Sequence, residues 1–405
     1  MFGLARMRAL LLVAMMTMPA LAMAEVRVVD LVTDAMAEPL GIESTQPRLS
    51  WRLEAARRGV LQAGYELQVA TSVAALEAGQ PDLWSTGRVN QRASAVVYAG
   101  QPLLAHQSVV WRVRIWDDRG ALSAWSQPAR FELAFTQPDQ WQADWIAGPP
   151  RRNPGPVDDP LAGVVDVLTG EFCRPVGVPG ALGVAGFDRL VDYVLGTGGA
   201  CREPRPAPLL RRAFELSEAP ARARLHISGL AYARVQINGA VLAPHQVLDP
   251  GYTHYDRTVL YRSYDVTDRL QAGVNAIGVE LGSGFYDYDI VTEWAWNHAS
   301  WRGEPRMIAE LHLEYADGRR EVVVSDEQWQ VHEGPTRYDN INIGETYDAR
   351  RRLTGWTTPD YDAQDWLPAR RVEPPGGRLT AQTHPSIERL GVVEPVAVTQ
   401  PLPGV

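Results

Sequence analysis

Short runs in which apolar and polar residues alternate recur along the chain. They cover residues 65–69, 111–116, 234–237, 275–281 and 311–315. Because a strand places successive side chains on opposite faces, this period of two predicts half-buried β-strands. Thirty Pro and 35 Gly are spread among the runs, which favours many strands joined by turns over long helices. The pattern predicts an all-β protein.

Turn chemistry marks two hairpins in the second half of the chain. Asn238-Gly239 separates the run 234–237 from the next apolar residues, and Asp317-Gly318 follows the run 311–315. Such pairs between alternating runs are the strongest local signal for a β-hairpin. Many strands at this spacing, joined by longer loops, predict a jelly-roll sandwich over residues 209–372. The Pro-rich segment 373–405 is predicted to be a connector toward an absent domain.

Residues 25–146 are predicted to form a separate β-sandwich. A strand containing Trp111 and Trp116, an Asp-rich turn and a second strand at Trp125 resemble the last hairpin of a fibronectin type III domain. We interpret these Trp residues as core or Arg-stacking residues and not as a binding site.

The first 24 residues have the features of a cleavable signal peptide. Arg6 and Arg8 precede an apolar stretch at 9–18, and small residues suit cleavage before Glu25. We therefore expect an exported protein, periplasmic or secreted. No membrane span is predicted, since no later stretch approaches the roughly 20 apolar residues that spanning requires.

Between the two predicted sandwiches, residues 147–208 are rich in Pro and Gly and are interpreted as an insertion. The segment holds Cys173 and Cys201, the only cysteines of the chain. In an oxidising compartment these two are predicted to form a disulfide that staples the insertion.

Charge and residue spacing exclude several classes of function. The net charge is −9, and all 39 basic residues are Arg, so nucleic acid is not expected as a partner. The eight His are isolated along the sequence, and no Cys/His spacing typical of a metal site occurs. No organic cofactor is predicted.

A series of short motifs occurs in a fixed order along both predicted sandwiches. They include PLGI at 39–42, PRLSW at 47–51, QAGY at 62–65, WSTG at 84–87, WRVRIWD at 111–117, YDVT at 264–267, LGSGFY at 281–286 and GETYDAR at 344–350. In this order they resemble the N-terminal region of bacterial α-L-rhamnosidases of glycoside hydrolase family 78.

The resemblance implies a fibronectin-like domain followed by a jelly roll, which in some family members is a calcium-using, rhamnose-binding module. It also implies a catalytic (α/α)₆ barrel farther along, which these 405 residues do not contain. Inverting glycoside hydrolysis needs two carboxylates roughly 6.5–9.5 Å apart across a pocket. None of the local acid pairs is predicted to serve, so we expect no catalytic residue here.

The best candidate for sugar binding is the loop after the strand 275–281. Trp and Tyr rings suit the C–H side of a sugar, and carboxylates suit hydroxyl groups or calcium. The predicted site residues are Tyr286, Asp287, Asp289, Glu293, Trp294, Trp296, Asn297 and, from an adjoining loop, Asp249. Asp287 and Asp289 are the candidate calcium ligands. The alternative is that the Trp residues pack under the loop while the acids pair with Arg302 or Arg306.

Three hypotheses of function follow. The leading one is the accessory, carbohydrate-binding portion of an exported α-L-rhamnosidase that is inactive alone, either because the enzyme is truncated or because a separately encoded barrel is its partner. Its partner would be a rhamnose-containing oligosaccharide or glycan. The second is a non-enzymatic lectin-like or adhesin-type surface protein, and the third is the sugar-binding sandwich of a different exo-glycosidase.

Overall fold

The computed structural model describes residues 26–150, 206–288, 294–342 and 344–397. The predicted signal peptide, Cys173 and Cys201 lie outside these residues. The described chain is almost entirely β-structured, as predicted, and none of its helices is long and apolar enough to cross a membrane.

The first sandwich packs a three-stranded sheet, in the order β1-β2-β5, against a four-stranded sheet, in the order β4-β3-β6-β7. One short helix, α1 (Val73–Glu77), follows β3. The strands are β1 (Arg27–Thr33), β2 (Arg48–Glu54), β3 (Gln62–Ala70), β4 (Trp84–Ser85), β5 (Ala95–Val97), β6 (Ser108–Asp117) and β7 (Ala129–Glu132).

The Trp residues of the first sandwich take the predicted structural roles. Trp111 is fully buried in the core between the sheets. The guanidinium groups of Arg112 and Arg114 stack on Trp125, 4.4 and 4.5 Å from its ring centroid. Trp116 is stacked in the same way by Arg88 at 4.6 Å. These cation–π contacts account for the outward-facing indoles without a ligand.

The second sandwich contains the remaining strands of the described ranges. They are β8 (Ile146–Ala147), β9 (Pro208–Leu216), β10 (Arg222–Leu230), β11 (Tyr232–Ile237), β12 (Ala240–Val241), β13 (Gln246–Val247), β14 (Thr258–Asp265), β15 (Gly273–Gly282), β16 (Arg306–Glu314), β17 (Arg320–Val324), β18 (Gln330–Glu333), β19 (Thr336–Asn340), β20 (Gly344–Tyr347), β21 (Leu367–Pro368), β22 (Arg370–Arg371), β23 (Arg378–Ala381) and β24 (Ile387–Glu388). Short 3₁₀ turns occur at Pro138–Gln140, Thr267–Arg269, Trp296–His298 and Ala349–Arg351.

Two large sheets of this sandwich face each other. One has the order β22-β8-β16-β10-β14-β23, with β17 also paired to β16, and the other has the order β12-β11-β15-β9-β18-β21. Both predicted hairpins are present, β11–β12 and β16–β17. Asn238 and Gly239 both adopt positive φ, as the tight turn requires.

The first sandwich covers the outer face of strand β10. Leu225 and Ile227 point into the core of the second sandwich, so Arg224 and His226 lie on the opposite face. Gly41 of the first sandwich comes so close that a Cβ there would lie 2.0 Å from the Ser263 hydroxyl oxygen. The two sandwiches therefore share a tightly packed junction.

Residues beyond 372 differ from the predicted connector. Strand β23 pairs in parallel with β14, and β24 pairs with β13. Glu43 of the first sandwich accepts hydrogen bonds from the Ala381 amide at 2.9 Å and the Thr380 hydroxyl at 2.8 Å. These pairings join residues far apart in the sequence, and no local pattern marks them.

Candidate functional site

The loop that follows β15 starts from a corner that only glycine fits. Gly284 adopts a φ of +46°, and a Cβ there would lie 2.5 Å from Ala231 and 2.7 Å from the Tyr232 ring. Asp339 braces the same corner, because its carboxylate accepts a hydrogen bond from the Ser283 amide at 2.6 Å. The loop therefore leaves the sandwich at a fixed point.

Aromatic side chains from two loops pack together beside this corner. The Phe285 ring lies 4.5 Å from Tyr252 and 4.5 Å from Trp296, measured between centroids. Trp301 lies 5.9 Å from Tyr252. Trp294 stacks on Trp296 at 5.2 Å with an interplanar angle of 22°, and it remains 57% exposed. We call these five residues the aromatic surface. It presents a flat indole, supported from below, to solvent.

Tyr286 and Asp287 belong to the same loop but are buried. The Tyr286 ring meets Tyr255 edge-on at 5.3 Å, and the Arg306 guanidinium lies 5.5 Å from its centroid. Burial raises the pKa of the Tyr286 phenol. Tyr286 therefore packs beneath the loop and offers no open ring face, which corrects its predicted role as a sugar platform.

Asp249 lies in the neighbouring loop, close to Tyr252 of the aromatic surface. Its Oδ1 accepts a hydrogen bond from Gln382 at 3.1 Å, and its Oδ2 lies 3.8 Å from the Nε of Arg262. The carboxylate is buried. Asp249 therefore lies beneath the surface beside the Arg262 guanidinium, and its predicted role in sugar binding stays a prediction.

The remaining predicted site residues are only partly accounted for. Asp289 and Glu293 lie outside the described residues, as does the side chain of Asn297. Calcium binding by Asp287 and Asp289 therefore stays a prediction.

A buried ion cluster, which no sequence pattern predicts, lies at the junction of the sandwiches. Glu132, at the end of β7, accepts hydrogen bonds from Arg224 at 2.5 and 2.7 Å and from Arg222 at 2.9 Å. Burial opposes ionisation of Glu132, but the two guanidinium groups lower its pKa below the ordinary value. Glu132 therefore links the two sandwiches as a carboxylate.

The lowered pKa of Glu132 predicts a dependence of stability on pH. The stabilisation is present above the unfolded-state pKa, about 4.3, and is lost as the pH falls through the lower folded-state pKa. Urea unfolding at pH 7, 5, 4 and 3 should show this loss. In Glu132→Gln the decline below about pH 4.3 should be shallower. Parallel declines in both proteins would contradict the role of Glu132.

Three histidines converge beside the same ion cluster. His106 precedes β6, His226 lies on β10 and His312 lies on β16; one ring nitrogen of each lies within 4.8 Å of the others. They border a cavity of about 190 Å³. The histidines are isolated along the sequence, but these three meet in space. The pairing of β10 with β16 brings His226 and His312 together, and the packing of the two sandwiches adds His106, so no spacing motif could reveal them.

Comparison with known proteins places both sandwiches in one family. Residues 28–137 match the model of the Rha78A-like N-terminal immunoglobulin domain, and residues 218–390 match that of the α-L-rhamnosidase N-terminal domain. An α-L-rhamnosidase of Formosa agariphila is 31% identical over 371 residues, which cover 89% of this chain and 35% of that protein. One of Streptomyces avermitilis is 26% identical, with 95% and 48% covered.

Solved structures give the same result. The α-L-rhamnosidase of Dictyoglumus thermophilum matches with a TM-score of 0.74 and 30% identity, covering 93% of this chain and 38% of that one. The S. avermitilis enzyme complexed with L-rhamnose matches in fold with a TM-score of 0.76 and 23% identity, covering 94% and 48%. The chain thus spans about a third to a half of the length of these relatives. It belongs to the α-L-rhamnosidase family, glycoside hydrolase family 78, and corresponds to the N-terminal region of that family.

Proposed function

We propose that this chain is the N-terminal accessory portion of an exported α-L-rhamnosidase and that its aromatic surface binds rhamnose-containing glycans. The observation that carries the proposal is the exposed indole of Trp294, stacked on Trp296. The related S. avermitilis protein was solved with L-rhamnose, which supports the choice of sugar. Catalysis would be supplied by a barrel outside these 405 residues.

The geometry suits a deoxy sugar. L-Rhamnose carries a methyl group, so one side of its ring is more apolar than that of an ordinary hexose, and an indole face can cover that side. Trp294 is already ordered by stacking, so less conformational entropy is lost on binding. A single stacked sugar should bind weakly, with a Kd on the order of 1 mM.

Trp294→Ala is expected to weaken rhamnose binding about tenfold, since loss of one aromatic stacking contact costs on the order of 1 kcal/mol or more. Titration of L-rhamnose, followed by Trp fluorescence and isothermal calorimetry, would measure this. Trp125→Ala is the matched control, because it removes an Arg-stacked Trp from the other sandwich. Parallel titrations with calcium and with a chelator test the predicted calcium ligands.

Equal rhamnose affinity in Trp294→Ala and the parent protein would contradict the proposed surface. Saturable binding of many sugars with no preference for rhamnose would instead favour the lectin-like alternative.

A further inference from the structure

The three histidines at the junction come from three separate elements. Strands β10 and β16 pair so that His226 lies opposite Glu310, and Arg224 lies opposite His312. All four side chains share the outer face of the sheet. His106 reaches the same face from the first sandwich. Any group that binds all three imidazoles therefore ties the two sandwiches together.

Hydrogen bonds fix one nitrogen of each strand histidine and leave the other available. His312 Nε2 lies 2.7 Å from Oε2 of Glu310, and a carboxylate accepts, so the Nδ1 lone pair remains. His226 Nδ1 lies 2.8 Å from the Ser263 hydroxyl. Its Nε2 is buried and has no hydrogen-bond partner among the described residues. Partners on the far nitrogen that orient the ring are typical of metal-binding histidines.

His106 is the histidine whose ring must change orientation to bind a metal. Its ring stacks on His312 with centroids 4.1 Å apart, and the residue is only half-buried. Ligand nitrogens about 2.0–2.1 Å from a tetrahedral Zn²⁺ lie roughly 3.4 Å apart, so the His106 ring must rotate out of the stack to bind.

The charges around the cluster also permit a cation. Arg222 and Arg224 are close, but Glu132 binds both of them, and Glu314 pairs with Arg222 at 3.5 Å. Glu310 adds a buried negative charge beside His312. The adjoining cavity of about 190 Å³ has room for a water molecule in a fourth position.

We propose that His106, His226 and His312 form a Zn²⁺ site that clamps the first sandwich to the second. Three neutral imidazoles are a ligand set that zinc accepts, whereas calcium and magnesium prefer oxygen. Glu310 and Ser263 position two of the rings, and a water completes a tetrahedral shell. The metal's role is to stabilise the junction.

Zinc titration of tag-free protein, stripped with EDTA and dialysed, tests the site. We expect calorimetry to show one Zn²⁺ bound per chain and the Tm to rise with zinc but not with magnesium. When Co²⁺ is added to the stripped protein in place of zinc, the visible absorption bands of tetrahedral Co²⁺ should appear. His106→Gln and His312→Gln should each lose at least tenfold in zinc affinity. His384→Gln, at an exposed histidine elsewhere, should match the parent protein.

His106→Gln keeps the experiment decisive if His312→Gln fails to fold, because residue 106 is half-buried on a loop. Its Tm in EDTA should equal that of the parent protein. Zinc affinity unchanged in His106→Gln, or a zinc-dependent Tm shift that survives in it, would overturn the proposal. So would the absence of saturable zinc binding by the parent protein.

Discussion

Glu132→Ala is expected to destabilise the protein by about 3–5 kcal/mol, the typical effect of removing one partner from a buried ion pair. The change leaves the guanidinium of Arg224, whose side chain is only 13% exposed, without the carboxylate that binds it in a fork. Arg222 also loses its shorter carboxylate contact, and the partners that remain, Glu314 for Arg222 and Asp265 for Arg224, are more exposed than Glu132. Because the carboxylate belongs to the first sandwich and both guanidinium groups to the second, the lost stability should appear as a loosened junction.

Urea unfolding followed by Trp fluorescence would measure this effect. Glu54→Ala is the matched control in the same sandwich, since its partner Arg27 is 71% exposed and such surface pairs contribute at most about 1 kcal/mol. The two variants therefore compare the loss of a buried glutamate with the loss of an exposed one. If Glu132→Ala costs no more than Glu54→Ala, the junction does not exclude water as the structure shows.

The fold was predictable because local patterns carry it. Leu311 and Leu313 alternate with polar residues as a strand requires, and Asn238-Gly239 forms the turn that its sequence favours. The same alternation assigns His312 to solvent. Its ring is instead covered by His106 of the first sandwich. Period-two patterning reports which face meets the strand's own core, and it carries no information about what packs on the outer face.

The position of the candidate site was predictable from the sequence, but the orientation of its side chains was not. The position of the loop followed from the end of β15 and its glycines, and Trp294 and Trp296 lie there as expected. Which aromatic side chains point outward did not follow, because an irregular loop has no periodicity to read. Tyr286 and Trp294 were therefore both predicted to bind sugar, although Tyr286 is buried and Trp294 is exposed.

The short strand β23 shows a further limit. It joins the sheet beside β14 through parallel pairing and through bonds to Glu43, a residue of the first sandwich. Such pairing depends on residues far apart in the chain, so a Pro-rich local sequence predicts a connector. Long-range contacts of this kind set the limit of what local patterns can show.

Glu310→Ala is the second change with a large expected effect. Glu310 is fully buried, and its Oε1 accepts hydrogen bonds from the amides of Gln142 and, at 2.9 Å, Ala143. Its Oε2 binds His312. Removing the side chain leaves two partly buried amides and an imidazole without their shared partner, at up to about 1–3 kcal/mol for each group. We expect a total loss of about 3–5 kcal/mol, since some of these groups will recruit water.

Unfolding in EDTA, which removes any contribution from metal, would measure the loss, and hydrogen exchange would locate it. The amides of Gln142 and Ala143 precede β8, the strand through which the chain enters the second sandwich, between β16 and β22. Their exchange should therefore accelerate more than that of the core of β10. Glu314→Ala is the control, because Glu314 lies on β16 as Glu310 does but is more exposed. Equal protection of residues 142–143 in Glu310→Ala and the parent protein would mean that the pairing of β8 with its neighbouring strands, and not the buried carboxylate, holds the segment between the sandwiches in place.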